Sequence, residues 1–167
     1  MPVQPQEFLV QQAMPTALEP REDPKLDLAA EVLRSGGTVR LKAWGTSMLP
    51  TLWPGDLLTI ESAHLTDIAP GDIVLVRRNS RFFVHRLAEK RVDSGVPHWI
   101  TRGDAMRQND PPTTKLELLG RVSGIERSPG VRVPVRRLSL LSSAVAWILS
   151  RSNTCRSVAL RMHNGAV

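Results

Sequence analysis

The sequence predicts a mainly β domain of antiparallel strands, and three observations carry that prediction. Six β-favouring runs of six to ten residues follow one another between residues 38 and 127. Turn residues punctuate them, among them Pro70-Gly71, Asn79-Ser80, Asp93-Ser94-Gly95 and Ser128-Pro129-Gly130. The short spacing of the runs leaves no room for a succession of the helical crossovers that parallel pairing requires.

Taken in chain order, the elements follow from local chemistry. Residues 1–25, "MPVQPQEFLVQQAMPTALEPREDPK", form a flexible lead-in rich in Pro, Gln and charge. They lack the basic n-region and apolar h-region of a secretory signal. In "DPKLDLAAEVLRSGG" the spacing predicts a short helix, with Asp27 as cap, Leu28, Val32 and Leu33 as its apolar stripe, and Gly36-Gly37 as its stop. The strands are "TVRLKAW", "DLLTIES", "DIVLVRR", "RFFVHRLAEK", "HWITRG" and "LLGRVSGIER". The organisation is therefore a lead-in at 1–25, one domain at 26–130, and a separate C-terminal segment at 131–167.

That last segment reads differently. "LSLLSSAVAWILS", 13 residues between Arg137 and Arg151, rises only about 20 Å as a helix, short of a hydrocarbon core of about 30 Å. Leu138, Leu141, Val145, Ile148 and Leu149 share one helical face, and arginines flank both ends. Two readings stand: a terminal helix packed on its own domain, or an amphipathic helix lying in a membrane interface.

Charge supports the division. The formal net charge of +6 resides in the six arginines of residues 131–167, since the other 16 basic residues are balanced by 16 acidic ones. A neutral body with a basic tail suits an anionic membrane surface or polyanion better than a nucleic-acid face on the fold. Aromatic residues make up 4% of the chain and tyrosine is missing, so base stacking has little to work with and no nucleic-acid partner is expected. The single cysteine, Cys155, excludes an internal disulfide framework, and no Cys/His cluster has zinc spacing. Neither metal nor organic cofactor is expected.

The stretch "WGTSMLPTLWPGD" places Ser47 after a strand and a glycine, on a loop fenced by Gly45, Pro50, Pro54 and Gly55. A serine hydroxyl becomes a useful nucleophile only when a base takes its proton and donors stabilise the oxyanion. The base must come from elsewhere, and the candidates are four histidines and four lysines. Within "RFFVHRL", alternation puts Phe83, His85 and Leu87 on one face and Phe82, Val84 and Arg86 on the other. A histidine on so apolar a face is by itself more often a packed core residue than a catalyst. In "TRGDAMRQNDPP", Asp104 and Asp110 are the candidates to orient a base, although an aspartate after glycine is ordinarily a solvated turn residue.

Together, "GTSMLPTLWPGDLLTI", "APGDIVLVRR", "FFVHRL", "ITRGDAMRQND" and "LLGRVSGI" resemble the signal peptidase I family and its wider clan, which includes self-cleaving SOS-type repressors and mutagenesis proteins. The resemblance runs from Arg40 to Ile125, about half of the chain. It implies strongly coiled antiparallel sheets and a serine endopeptidase that cleaves a peptide or preprotein after small residues. Ser47 matches the family's nucleophile. His85 stands where the bacterial branch has a lysine base, so the chain is similar to the endoplasmic-reticulum and archaeal branch. Asp104 and Asp110 match that branch's two aspartates, Asp110 being the better match to the triad acid and Asp104 the one that supports the site or its turn.

Two departures from the pattern matter. Gly45 occupies the position where many bacterial relatives carry a hydroxyl for the oxyanion hole. The 37 residues ahead of the first strand contain no apolar run of the 18 or so residues that a membrane anchor needs. A cytoplasmic or peripherally membrane-associated protein is expected, with two other readings open: a self-cleaving or regulatory clan member, and a non-catalytic interaction module.

Overall fold

The computed structural model describes residues 23–128 and 130–135, together with positions 145, 157 and 161. The helix is α1, Pro24–Arg34, and its cap is Asp23 rather than Asp27. Asp23 has extended backbone and accepts a hydrogen bond from the Lys25 N–H at 3.0 Å, while Pro24 occupies the first turn, where its missing N–H costs nothing. Asp27 lies one turn in and pairs with Arg77 instead. The buried face is Ala30 and Leu33, whereas Leu28 is exposed, so the stripe is rotated from the expected one. Gly36 ends the helix with a φ of 90°, which favours glycine.

Seven strands follow: β1 Thr38–Lys42, β2 Leu57–Glu61, β3 Ile73–Arg78, β4 Arg81–Asp93, β5 Val96–Arg102, β6 Leu118–Ser128 and β7 Val131–Val133. Their order is β1-β2-β6-β3-β4-β5 with β7 also on β6, and every pairing is antiparallel. The protein is mainly β, as its turn spacing predicts. Register shifts at Thr59/Ile60, Leu75/Val76 and Leu87/Glu89 mark bulges, which add local twist and coil the sheet. Gly120 lets β6 pass close to β2, because a Cβ there would lie 2.4 Å from the Glu61 carbonyl oxygen.

β3 is buried on both faces, which is why "IVLV" is continuously apolar rather than alternating. Ile73 and Leu75 join one core with Leu33, Met48, Leu52, Leu58 and Val122. Val74 and Val76 join a second with Ile68, Leu87, Trp99 and Leu118. At about 1.5–3 kcal/mol for each large side chain removed from water, these two clusters hold the sheet in its coiled form. The loop between β1 and β2 is anchored twice: Met48 and Leu52 enter the first core, and Leu49 forms a third, small cluster with Ala105 and Trp53.

Among the described residues, no helix is long and apolar enough to cross a membrane. The C-terminal helix expected over 138–150 lies outside the described residues, apart from exposed Val145, and so does most of the 1–25 lead-in.

Candidate active site

The site is assembled from three segments that the coiled sheet brings together. The first is the β1–β2 loop. Its ends are clasped by Ala43 N–H donating to the Asp56 carbonyl at 2.7 Å and Gly55 N–H donating to Ala43 at 2.9 Å. Within it Gly45 has a φ of 82°, and residues 48–52 close as a turn through the Thr51 and Leu52 N–H groups donating to the Met48 carbonyl. Flanking the serine with Met48 and Leu49 buried leaves Ser47 half-buried at the surface of the loop.

The second segment is β4. Phe82 and Val84 pack on the core, so alternation turns Phe83 and His85 the other way. His85 is 8% exposed. Its Nε2 lies 3.0 Å from Ser47 Oγ and its Nδ1 lies 2.6 Å from Asp110 Oδ2.

The third segment, residues 103–113, supplies both aspartates and separates them. Asp110 also accepts from Thr101 Oγ1 at 2.6 Å, and its N–H donates to the Thr101 carbonyl. Burial raises its pKa, but hydrogen bonds from His85 and Thr101 and the charges of His85 and Arg78 outweigh that, holding the carboxyl below the usual range. An ionised carboxylate can only accept, so the proton between it and His85 belongs to Nδ1. Nε2 is then the acceptor for the Ser47 hydroxyl.

Asp104 does not touch His85. Its carboxylate takes both arms of Arg86, at 2.8 Å each, and the Thr51 hydroxyl at 2.5 Å. Arg86 further donates to the Gly71 carbonyl at 2.7 Å. A second ion pair, buried at its carboxylate, does the same for the far end of the serine loop: Arg127 chelates Asp56 at 3.1 and 2.9 Å and donates to the Thr51 carbonyl. Thr51 thus joins both ion pairs, one through its side chain and one through its backbone.

Several of these groups are invisible to motif reading. Arg86 carries one signal, a charge at a core-facing position of a strand, which demands a carboxylate partner. Arg78 braces the segment after Asp110 through the Pro111 and Pro112 carbonyls and Glu117. Gly103 sits so close to the Ser47 turn that a Cβ there would lie 2.6 Å from the Ser47 carbonyl oxygen. No lysine is hydrogen-bonded to Ser47 among the described residues; Lys90 donates to the Leu65 carbonyl and Lys42 lies over Trp44.

A family model described as Peptidase S24-like matches residues 8–122. The chain belongs to the Peptidase S24-like family. The match covers more than half of the chain and takes in all three segments, so the S24-like frame includes Ser47, His85, Asp104 and Asp110. It supports the serine-peptidase clan to which the sequence signature is similar. A comparison with curated proteins returned no match.

Beside Ser47 and His85, this S24-like domain has a cleft of about 500 Å³. Its walls are mostly apolar, with Leu41, Trp44, Met48, Phe82 and Val84 among them.

Proposed function

We propose that the protein is a serine endopeptidase that cleaves a precursor protein or peptide after small residues, by acyl transfer through Ser47, His85 and Asp110. The observation that carries this reading is the His85 ring, held at 3.0 Å from the serine hydroxyl and at 2.6 Å from a carboxylate. Ser47 Oγ attacks the scissile carbonyl while His85 Nε2 takes its proton. The imidazolium returns that proton to the leaving amine, and water then cleaves the acyl-serine by the same route. Asp110 holds the Nδ1–H tautomer and stabilises the charged ring. The Ser47 N–H makes no hydrogen bond among the described residues and is available to the oxyanion.

The apolar cleft supports a substrate segment bound in extended form beside the serine. The test is mass spectrometry of candidate precursors incubated with the wild type and with Ser47→Ala. New fragments must appear with the first and not with the second; equal cleavage by both removes the serine mechanism.

The S24-like match favours a second reading within the same chemistry, self-processing, because it extends to residue 8, upstream of α1. Ala17 in "MPTALEP" offers a small residue there. The intact mass of purified wild type against Ser47→Ala distinguishes it, since self-processing shortens only the first.

The basic segment 131–167 supports peripheral attachment to an anionic membrane as part of this proposal. Flotation with anionic liposomes at low and high salt is the check, and equal behaviour after removing residues 136–167 counts against it.

A further inference from the structure

The cleft beside Ser47 lies between two strand edges. β4 pairs with β3 from Arg81 onward, but its pairing with β5 begins only at Arg86. Residues Arg81–His85 therefore lack a strand neighbour on one side among the described residues. The facing wall is Leu41 to Trp44, at the end of β1, which pairs with β2 alone. An extended peptide entering this gap meets unpaired backbone groups on β4 and is aligned along the strand.

Along that strand the side-chain period is two, so Arg81, Phe83 and His85 share a face. Four residues of strand place Arg81 about 13 Å from His85. The turn that precedes it, Asn79-Ser80, has φ of 49° and 56° at its two central residues, the signs of a tight hairpin turn that fixes where Arg81 emerges.

The charge in this cleft has one sign. Lys42 and Arg81 line it, and among the described residues no Asp or Glu does. Lys42 Nζ stands 5.5 Å from the Trp44 ring centroid, and neither cation has a carboxylate partner among the described residues. The neighbouring arginines on β3 and β4, Arg77, Arg78 and Arg86, are all paired with carboxylates, whereas Arg81 on the same hairpin is not.

We infer that the cleft selects a peptide bearing a carboxylate side chain about four residues from the scissile bond, held by Arg81 with Lys42 on the facing wall. The inference rests on Ser47 as the nucleophile. Arg81 and Lys42 are exposed, and the guanidinium fork offers a carboxylate two parallel hydrogen bonds that hold it in a fixed geometry. A lysine at the same place meets two like charges, so rejection adds to selectivity.

Fluorescent decapeptides with alanine at the intended cleavage position, and a single Glu, Gln or Lys moved along either side of it, test this. Cleavage is measured as kcat/KM with the wild type and Arg81→Glu, and binding by anisotropy with Ser47→Ala. A Glu about four residues from the cut bond should improve both cleavage and binding at least fivefold over Gln and further over Lys. Arg81→Glu should reverse the order of the Glu and Lys peptides. Equal values for the three, no binding by any peptide, or an order indifferent to Arg81→Glu would overturn the inference. Binding that prefers Glu without cleavage by the wild type retires the peptidase reading and leaves the charge selection standing.

Discussion

The Asp104 carboxylate grips Arg86 through both guanidinium arms, Nε to Oδ1 and Nη2 to Oδ2, each at 2.8 Å. Arg86 adjoins His85 in the chain, and Asp104 also holds Thr51, four residues beyond Ser47. One buried ion pair therefore ties the strand position next to His85 and the Ser47 loop to a common point, although it touches neither the Ser47 hydroxyl nor the His85 ring.

Breaking that pair leaves a buried charge without its partner. Asp104→Asn or Arg86→Ala should lower stability by about 3–5 kcal/mol, the usual cost for a buried pair. Urea unfolding gives the number. For a positioning role, residual activity in Asp104→Asn should show reduced kcat with the acid side of the pH profile kept in shape. A pH profile that loses its histidine limb would instead make Asp104 a direct partner of the base.

Ser47→Ala should abolish peptide cleavage, by about a millionfold if the three groups act as one unit. Its unfolding free energy should stay within about 1 kcal/mol of wild type, since one half-exposed hydroxyl is lost from a loop anchored by Met48, Leu49 and Leu52. His85→Ala should match it in activity. Retained turnover in either variant, measured on any peptide the wild type cleaves, sinks the mechanism.

Asp110 gives a pH prediction. Its folded-state pKa is depressed despite burial, because His85 and Thr101 donate to it and His85 and Arg78 add favourable charge. The sign follows: this stabilisation is fully present above the ordinary aspartate value of about 3.9 and is lost as pH falls through the lower folded value. The stability gap between wild type and Asp110→Asn should thus be constant from neutral pH to about 5 and shrink below about 4. Urea midpoints at pH 7, 5 and 3 test it, and a gap that persists unchanged at pH 3 contradicts the assignment. In turnover, Asp110→Asn should cost about 10⁴ in kcat, because an amide no longer holds the required imidazole tautomer.

How much of this was legible beforehand differs by physical cause. Turn residues and β-favouring runs located β1 to β6, because those signals are local. The helix start differs from the expected one: Asp23 caps it, with Pro24 in the first turn and the Lys25 N–H on its carboxylate, while Asp27 pairs with Arg77 on a distant strand. The resemblance put Ser47, His85 and Asp110 in one frame, and the fold brings them within hydrogen-bond reach. The partners of Asp104, Asp56 and Thr51 were not legible. Arg86 and Arg127 reach them across 18 to 76 residues of chain, and nothing in a linear pattern says which buried arginine meets which carboxylate.

Gly103 belongs to the same class of hidden constraint and makes a sharp test. A Cβ at this position would lie 2.6 Å from the Ser47 carbonyl oxygen and 3.0 Å from the Ser47 Cβ, contacts too close to be relieved by a flexible side chain. Either backbone segment must move, which breaks the 2.8 Å bond from the Ala105 N–H to that same carbonyl and displaces Ser47 from His85. A shift of about 1 Å in a reacting group costs on the order of 10²-fold in rate. Gly103→Ala should therefore lose about that much in kcat while far-UV circular dichroism stays that of the wild type. Gly95→Ala is the control: Gly95 is also a turn glycine, at a φ of 80°, but its Cβ would meet nothing within 4 Å and it lies on the β4–β5 hairpin away from Ser47. If both variants lose stability alone and keep kcat, close approach at Gly103 does not position the serine.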